Sequence, residues 1–338
     1  MALLDVQDLH IRLQTPRGPA DAVRGLSFSL DKGDALGLIG ESGCGKSLTV
    51  MALMGLLPEG AQVRGSIRFE GQELVGMDEN QLCRLRGDRL AMIFQEPMTA
   101  LNPVHTVGHQ VAEPLRLHRG MGASAARAEA IALLDRVGIP NAAQRVDAYP
   151  HQFSGGQRQR ITIAMALACN PDLLIADEPT TALDVTVQRQ ILDLINELVD
   201  ERGMALMLIS HDLGVIANNV DRMLVMYGGS VVESGPTEAV FARMAHPYTR
   251  GLFAARPRLG PRPPGPRPAL ATIAGTVPEL VDLPAGCAFA GRCALSTAQC
   301  EQQRPVACQV GSPEASEGLS PHLVSCWHSP ELPAEAQA

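Results

Sequence analysis

The 338-residue chain contains no apolar run of the ~20 residues that a membrane-spanning helix needs, so it is not read as crossing a bilayer. Nor does it carry a surplus of positive charge. Its 28 Lys and Arg stand against 36 Asp and Glu, a formal net charge of -8, which excludes a chain built throughout as a nucleic-acid sleeve and leaves room only for local basic patches. No internal repeat is evident. The opening residues MALLDVQDLHIRLQ alternate apolar and polar side chains and include Asp5 and Asp8, so they read as a strand and not as a signal peptide. The chain is therefore expected to stay in the cytoplasm, where thiols remain reduced.

What is present is a globular composition. Hydrophobic residues make up 46% and charged residues 19%, enough for a real core, and the length suits one large domain with an appendage. The eight cysteines are unevenly placed. Cys44, Cys83 and Cys169 are scattered, whereas Cys287, Cys293, Cys300, Cys308 and Cys326 crowd the last fifth of the chain. In a reducing compartment that crowding points to metal more than to disulfides.

Hydrophobic spacing sets the organisation. Val6, Leu9, Ile11 and Leu13 alternate in part, Leu26, Phe28 and Leu30 alternate strictly, and Leu36 to Ile39 is a short apolar run ending at Gly40. A helix is expected from about Leu48 to Leu57, stopped by Pro58, and Val63 to Phe69 returns to strand character. From about Glu79 to Ala168 the chain reads as mostly helical, with an alanine-rich stretch at Ala123 to Val137 and one apolar face formed by Ile161, Ala164, Met165 and Ala168. Strands are expected at Leu173 to Ala176, Leu206 to Ile209 and Met223 to Met226. A helix with Val187, Ile191, Leu194, Ile195 and Leu198 on one face lies between the first two. This order implies βαβ units and a mainly parallel sheet, with the helical block inserted into it. Arg256 to Pro268 is proline-rich and basic, a linker that sets a domain boundary.

Gly40-Glu41-Ser42-Gly43-Cys44-Gly45-Lys46-Ser47 fits the G-x-x-x-x-G-K-[ST] phosphate loop completely, between an apolar strand and a helix. Glycines let the backbone wrap a phosphate, and the helix start at Lys46, Ser47 and Leu48 offers free N–H donors and a positive dipole end. Lys46 supplies charge to the outer phosphates, and the Ser47 hydroxyl suits Mg²⁺. Only the backbone of Cys44 should matter. Its thiol could sensitise the loop to alkylation, although a small residue tolerated there is the plainer reading.

LLIADE delivers Asp177 and Glu178 to the end of a buried strand. Asp177 suits Mg²⁺ held through its water shell, and Glu178 suits the attacking water; capping of the turn Pro179-Thr180-Thr181 is the competing reading. Ser154-Gly155-Gly156-Gln157 opens another helix, with Ser154 as N-cap, and offers a second anion-binding start.

Together these motifs resemble the nucleotide-binding subunit of ABC transporters. FSGGQ is similar to that family's signature, with Phe153 in place of Leu. Gln95 in IFQEP matches its Q-loop, Thr181-Ala182-Leu183-Asp184 its D-loop, and His211 in LISHD its switch histidine. FQEPMTALNP, YPHQFSGGQRQR, ADEPTTALDVTVQ and HPYTRGLFAARPRL resemble the dipeptide, oligopeptide and nickel importers within it, and GCAFAGRC to VSCWH resembles their C-terminal extension. The resemblance implies an α/β P-loop NTPase core over 1–255, with an antiparallel β subdomain and a helical subdomain inserted at about 85–168. A linker follows at 256–268 and a cysteine-rich extension at 269–338.

It also implies ATP and Mg²⁺ as cofactors. Glu178, His211 and Gln95 would be catalytic, and Ser47, Gln95 and Asp177 would serve the metal. The resemblance implies head-to-tail pairing, so that Ser154, Gly155, Gly156 and Gln157 touch the ATP of a partner, either a paralogous ATPase or a second copy. Two membrane permeases and, indirectly, an extracytoplasmic binding protein complete the system at the cytoplasmic face of the inner membrane. The cargo implied is peptide first, with nickel or another small solute second. Family members usually stack an aromatic on adenine from the first strands; here the place falls at Leu13, and no Tyr, Trp or Phe precedes Phe28. Cys287, Cys293, Cys300 and Cys326 match the subfamily tail, in which some members carry a 4Fe–4S cluster. Four thiolates suit such a cluster or Zn²⁺, and reduced thiols packed as small hydrophobes are the third reading. Cys308 leaves the ligand set ambiguous. A soluble ABC-type ATPase acting on DNA or ribosomes would need a second cassette or long coiled coils, and a non-hydrolysing binding module would not need Glu178 and His211.

Overall fold

A computed structural model describes residues 2–181, 183–255, 271–311 and 320–329. The expected linker at 256–268 and Ala182 of the expected D-loop lie outside the described residues.

The N-terminal half alternates between two sheets. β1 (Leu4–Thr15) and β2 (Gly18–Leu30) form an antiparallel hairpin from Leu4 opposite Leu30 to Thr15 opposite Gly18, with register shifts at bulges between Val6 and Arg12. β3 (Ala35–Ile39) leads to α1 (Lys46–Leu53). β4 (Gln62–Phe69) and β5 (Gln72–Glu73) then return to the first sheet, whose order is β2-β1-β4-β5. α2 (Glu79–Leu85), capped by Asp78, precedes β6 (Leu90–Ile93). The helices that follow are α3 (Pro97–Ala100), α4 (Val107–His118), α5 (Ala123–Arg136), α6 (Ala142–Arg145) and α7 (Gly155–Leu167). β7 (Leu173–Asp177), α8 (Val185–Arg202), β8 (Ala205–Ser210), α9 (Leu213–Asn219) and β9 (Arg222–Tyr227) complete the alternation.

The second sheet has a parallel centre, β9-β3-β8-β7-β6, as the strand–helix–strand order requires. Its strands are apolar on both faces because both are covered. Leu36, Leu38, Leu173, Ile175, Met207 and Ile209 pack toward the antiparallel sheet. Alternate residues such as Ile39, Leu174, Ala176, Leu206 and Leu208 pack toward the helices. In α8 the expected stripe is buried at Ile191, Ile195 and Leu198, with Leu192 and Val199 beside it. Each such side chain removed from water contributes roughly 2 kcal/mol.

Two expectations are corrected. α1 ends at Leu53, well before Pro58. Gly55 takes φ +62, and the Leu56 N–H donates to the Met51 carbonyl at 2.8 Å, a left-handed helix stop that spends the last carbonyls early. The stretch read as helical from about Glu79 also contains a strand, β6, paired in parallel with β7. Leu90 to Ile93 is too short for periodicity to separate a buried strand from a helix turn.

β10 (Ser230–Pro236) turns back antiparallel on β9, and α10 (Thr237–Arg243) and α11 (Pro247–Ala254) follow. α12 (Ala298–Gln302), β11 (Cys308–Gln309) and β12 (Leu323–Val324) belong to the C-terminal stretch, where β12 pairs with β10 and so lengthens the second sheet. Under that junction lies Glu233, fully buried. It accepts from the Ala245 and His246 N–H groups at 2.6 and 2.9 Å and meets His322 Nε2 at 2.7 Å. Burial is the largest influence on its pKa and pushes it up, but His322, Thr249 and the two backbone donors together hold it below the usual range.

His246 is buried beside it, caps α11 by accepting from the Tyr248 N–H, and is held down to about 4 by burial. The unfolded chain therefore takes up this proton first. The stability that a neutral His246 allows is complete above its ordinary 6.5 and is lost as pH falls toward 4, a change on the order of 3 kcal/mol. His246→Asn keeps a side-chain cap and removes the titration; thermal melts across this window should show a shallower acid slope for the variant than for wild type.

Candidate active site

The loop after β3 is shaped by two close approaches. A Cβ on Gly40 would run into the Met226 carbonyl of β9 and stand 2.7 Å from Cys44 Sγ, and a Cβ on Gly45, at φ +103, would stand 2.7 Å from the Ala22 carbonyl of β2. Only glycine permits both. Lys46 is buried, and its Nζ donates to the Gly40 carbonyl at 2.7 Å and the Glu41 carbonyl at 3.2 Å, which holds the ammonium inside the loop. At the start of α1 no acid sits in the first turn, no side chain caps the helix, and the Ser47 and Leu48 N–H groups have no acceptor among the described residues. Ser42 and Gly43 are exposed at the mouth. The loop is an anion cradle with a lysine inside it.

β7 brings two acids to its edge in different settings. Asp177 is buried with the Ser47 hydroxyl beside it, and its Oδ1 has no partner among the described residues. Burial raises its pKa and the neighbouring Glu178 adds to the rise, against Ser47 and Lys46. A buried carboxylate oxygen without a donor is an oxygen ligand waiting for a cation, and Ser47 stands beside it. These two residues fit Mg²⁺.

Glu178 adopts φ +46, so the chain turns as it leaves the strand and the side chain swings out to a part-exposed position. Its Oε2 is reached by Gln95 Nε2 at 3.1 Å, Thr181 Oγ1 at 3.0 Å and His211 Nδ1 at 3.2 Å. The structure thus gathers Gln95, Glu178 and His211 around one carboxylate oxygen, beyond the ends of β6, β7 and β8. Competition from simple turn capping is not the whole account of these acids, since Asp177 faces Ser47 of the loop.

The comparisons with known proteins agree with this geometry. The family description "ABC transporter" matches residues 23–181, and "Oligopeptide/dipeptide transporter, C-terminal region" matches residues 232–300. The oligopeptide transport ATP-binding protein of Haemophilus influenzae is 48% identical over 329 residues, 97% of this chain and 98% of its own. The dipeptide transport ATP-binding protein of Bacillus subtilis is 47% identical over 327 residues, 96% of this chain and 94% of its own. A dimeric ATP-binding cassette solved in a post-hydrolysis state with ADP and phosphate superposes with a TM-score of 0.63 at 26% identity, covering 69% of this chain and 98% of that one.

The chain belongs to the ABC transporter family. It is an ATPase with the ABC cassette fold, and its cofactors are ATP and Mg²⁺.

The cassette's signature segment sits at the exposed start of α7. Ser154 accepts from the Gln157 N–H at 3.3 Å, and the Gln157 side chain accepts from the Ser154 N–H at 3.2 Å, a complete capping box. Phe153 is buried beneath the Arg145 guanidinium, 4.1 Å from it, so an aromatic does here what the expected leucine would do by packing alone. The Gly155 and Gly156 N–H groups have no acceptor among the described residues, and no hydrogen bond among those residues ties 154–157 to the phosphate loop.

At the expected adenine position, Leu13 is only partly buried and pairs with Ala20 across the β1–β2 hairpin. In the tail, Cys287, Cys293, Cys300 and Cys326 line one small cavity with His246 and His328. Among the described residues no group of three or more Cys, His, Asp or Glu is disposed to hold a metal ion, which leaves the 4Fe–4S and zinc readings alike without support. Burial raises the pKa of Cys287 and Cys293 and pushes Cys326 up to about 11. Cys308 is set apart, exposed, with its Sγ 3.4 Å from the Val324 carbonyl.

Sequence reasoning missed two residues at the loop. The Tyr248 hydroxyl accepts from the Glu41 N–H at 2.8 Å, and Arg292 donates to the Glu41 carboxylate. Both lie in segments quoted only for their resemblance, and nothing in their local pattern points across more than 200 residues.

Cys44 is buried, and burial raises its pKa. The reading of a reactive loop thiol therefore gives way to that of a small packed residue. Alkylation of the native protein followed by peptide mass mapping should label Cys83 and Cys308, both exposed, well before Cys44 or Cys169.

Proposed function

We propose that this chain is the ATP-hydrolysing subunit of a peptide importer, working in a head-to-tail pair beneath two membrane permeases. The observation that carries the catalytic part is the convergence of Gln95, Thr181 and His211 on Glu178 Oε2, beside Ser47 and the unpartnered Asp177 oxygen.

In this reading the N–H groups from Gly43 to Leu48 and the Lys46 ammonium bind the β- and γ-phosphates, and Ser47 and Asp177 hold Mg²⁺, with Gln95 reaching the metal and the water. The ion, when bound, neutralises charge that develops on the phosphates. Glu178 takes three donors on Oε2, which fixes the carboxylate plane and leaves Oε1 to accept from the attacking water. His211 shares Oε2 and faces the γ-phosphate from the same side. The segment Ser154, Gly155, Gly156 and Gln157 presents the start of α7, with its free Gly155 and Gly156 N–H groups, to ATP held by the partner subunit, a paralogue in preference to a second copy.

The helices from α3 to α7 form the inserted helical subdomain that meets the permeases, and Gln95, at its root, reports the state of the γ-phosphate to them. The nucleotide-binding domain runs over 1–255 and the extension over 269–338, with 256–268 between them. The assembly sits at the cytoplasmic face of the inner membrane; among the described residues no helix is long and apolar enough to cross it. Peptide is the cargo because the H. influenzae and B. subtilis relatives are named for oligopeptide and dipeptide transport, and the nickel alternative finds no support beside them. The four cysteines Cys287, Cys293, Cys300 and Cys326 share a small cavity, but no group disposed to hold a metal ion is found among the described residues, so the 4Fe–4S reading has no support in the structure. Iron and sulfide assays on anaerobically purified protein test it, and a metal-free folded tail would end it.

Glu178→Gln should lower ATP turnover at least about a hundredfold, the scale of a lost general base, while an ATP-bound dimer accumulates by light scattering. Unchanged turnover would refute the role given to Glu178. Uptake of radiolabelled peptides by vesicles holding the assembled transporter tests the cargo, and ATP-dependent uptake of nickel without peptide uptake would overturn it.

A further inference from the structure

The C-terminal stretch returns to the N-terminal part of the chain at two points. Arg17, in the turn between β1 and β2, donates to Glu279 at 2.8 Å and to both oxygens of Asp282 at 2.7 Å. These groups are about half exposed or more, so solvent and salt screen the contact. The second point is different. Arg292 is only 7% exposed at its side chain, and its two Nη atoms reach the two carboxylate oxygens of Glu41 at 2.6 and 3.2 Å. That two-pronged geometry is the strong form of the pair. Arg292 is itself fixed: its Nε donates to the Ala274 carbonyl at 2.9 Å, Nη1 stands 3.3 Å from the Tyr227 hydroxyl, and the Tyr227 and Phe289 rings flank the guanidinium.

Glu41 follows Gly40 directly, so it opens the phosphate loop. Three of its groups are engaged. Its N–H donates to the Tyr248 hydroxyl, its carbonyl accepts from Lys46 Nζ, and its carboxylate is taken by Arg292. An acid is an odd residue to place where a polyanion must enter, because a bare carboxylate there repels the phosphates. The arginine from the tail cancels that charge and draws the carboxylate aside.

We propose that Arg292 is a positioning residue for ATP: it neutralises and holds Glu41 so that the loop opens to phosphate, which makes the C-terminal stretch part of the nucleotide site. This rests on the reading of Gly40 to Ser47 as the phosphate site. It goes beyond that reading, because it places a requirement for ATP binding some 250 residues away, in a segment that touches no phosphate.

The test is a double-mutant cycle on the full chain, read by equilibrium binding of a fluorescent ATP analogue and by steady-state turnover, with thermal melts to check folding. Arg292→Ala should weaken ATP binding about tenfold, the size of one lost close charge compensation, and should raise KM far more than it lowers kcat. Arg292→Lys should fall between the two. Arg292→Ala with Glu41→Gln should recover most of the lost affinity, since the repelling charge is gone, and Glu41→Gln alone should bind ATP more tightly than Arg292→Ala does. A purely structural role would leave the double variant no better than Arg292→Ala, and that result overturns the proposal, as does unaltered affinity in Arg292→Ala. If Arg292→Ala does not fold, the same comparison between Arg292→Lys and Arg292→Lys with Glu41→Gln decides. Lys46→Ala separates the premise from the proposal: it should abolish binding whatever Arg292 does, and normal binding by that variant would sink the phosphate-loop reading itself.

Discussion

The Met226 carbonyl leaves no room for a Cβ at Gly40, and much of the site hangs on that contact. It presses the phosphate loop against β9, while the Ala22 carbonyl does the same to Gly45 from the antiparallel sheet. The loop is therefore clamped between the two sheets before any nucleotide arrives, and a preformed cradle spends little of its binding energy on ordering itself. The next residue of β9 carries the consequence outward. Tyr227 packs edge-on against Tyr248 and Phe289, so the strand that floors the loop also seats α11 and the C-terminal stretch. Arg292 and the Tyr248 hydroxyl reach Glu41 because that aromatic cluster puts them there.

The two acids at the end of β7 show how backbone direction assigns chemistry. Asp177 still obeys the strand's alternation and points into the buried side, beside Ser47. Glu178, one residue on, is at φ +46, a conformation that costs a non-glycine residue on the order of 1 kcal/mol, and its carboxylate emerges among Gln95, Thr181 and His211. Neighbouring carboxylates are thereby given different settings, one buried beside Ser47 and the other among three donors. The donors come from three separate elements, so the position of Glu178 responds to the relative placement of β6, β7 and β8 and of the helices that follow them.

Much of this was legible in the sequence, because the information was local. Strand ends followed by glycine and lysine, or by paired acids, announce themselves within ten residues, and the capping box at Ser154 and Gln157 lies within one helical turn. The α8 stripe is legible for the same reason. What escaped was set by distance or by shortness. β6 offers only Leu90 to Ile93, which a helix would bury as well. The end of α1 is decided by Gly55 in a left-handed turn, and Arg86, from α2's cap, donates to the Met54 and Gly55 carbonyls that a longer helix would have used. The pairing of β12 with β10 and the grip of Arg292 on Glu41 join segments that no local pattern relates.

The chain carries two helix starts fit for anions, and they are unlike. At α1 the start is walled in by both sheets and holds a buried lysine; at α7 it stands exposed, with a satisfied cap and two glycine N–H groups that have no acceptor among the described residues. A start of the first kind binds a polyanion unaided, since lysine, loop and helix dipole act at one point. A start of the second kind has too little charge and too much water around it to do so. It becomes effective only when another surface brings the anion and excludes the solvent. Of the two starts, the first is therefore suited to hold ATP unaided, and the second, in the head-to-tail pairing proposed above, would meet ATP carried by a neighbour. In that pairing the asymmetry would let nucleotide binding drive association, and loss of the γ-phosphate undo it.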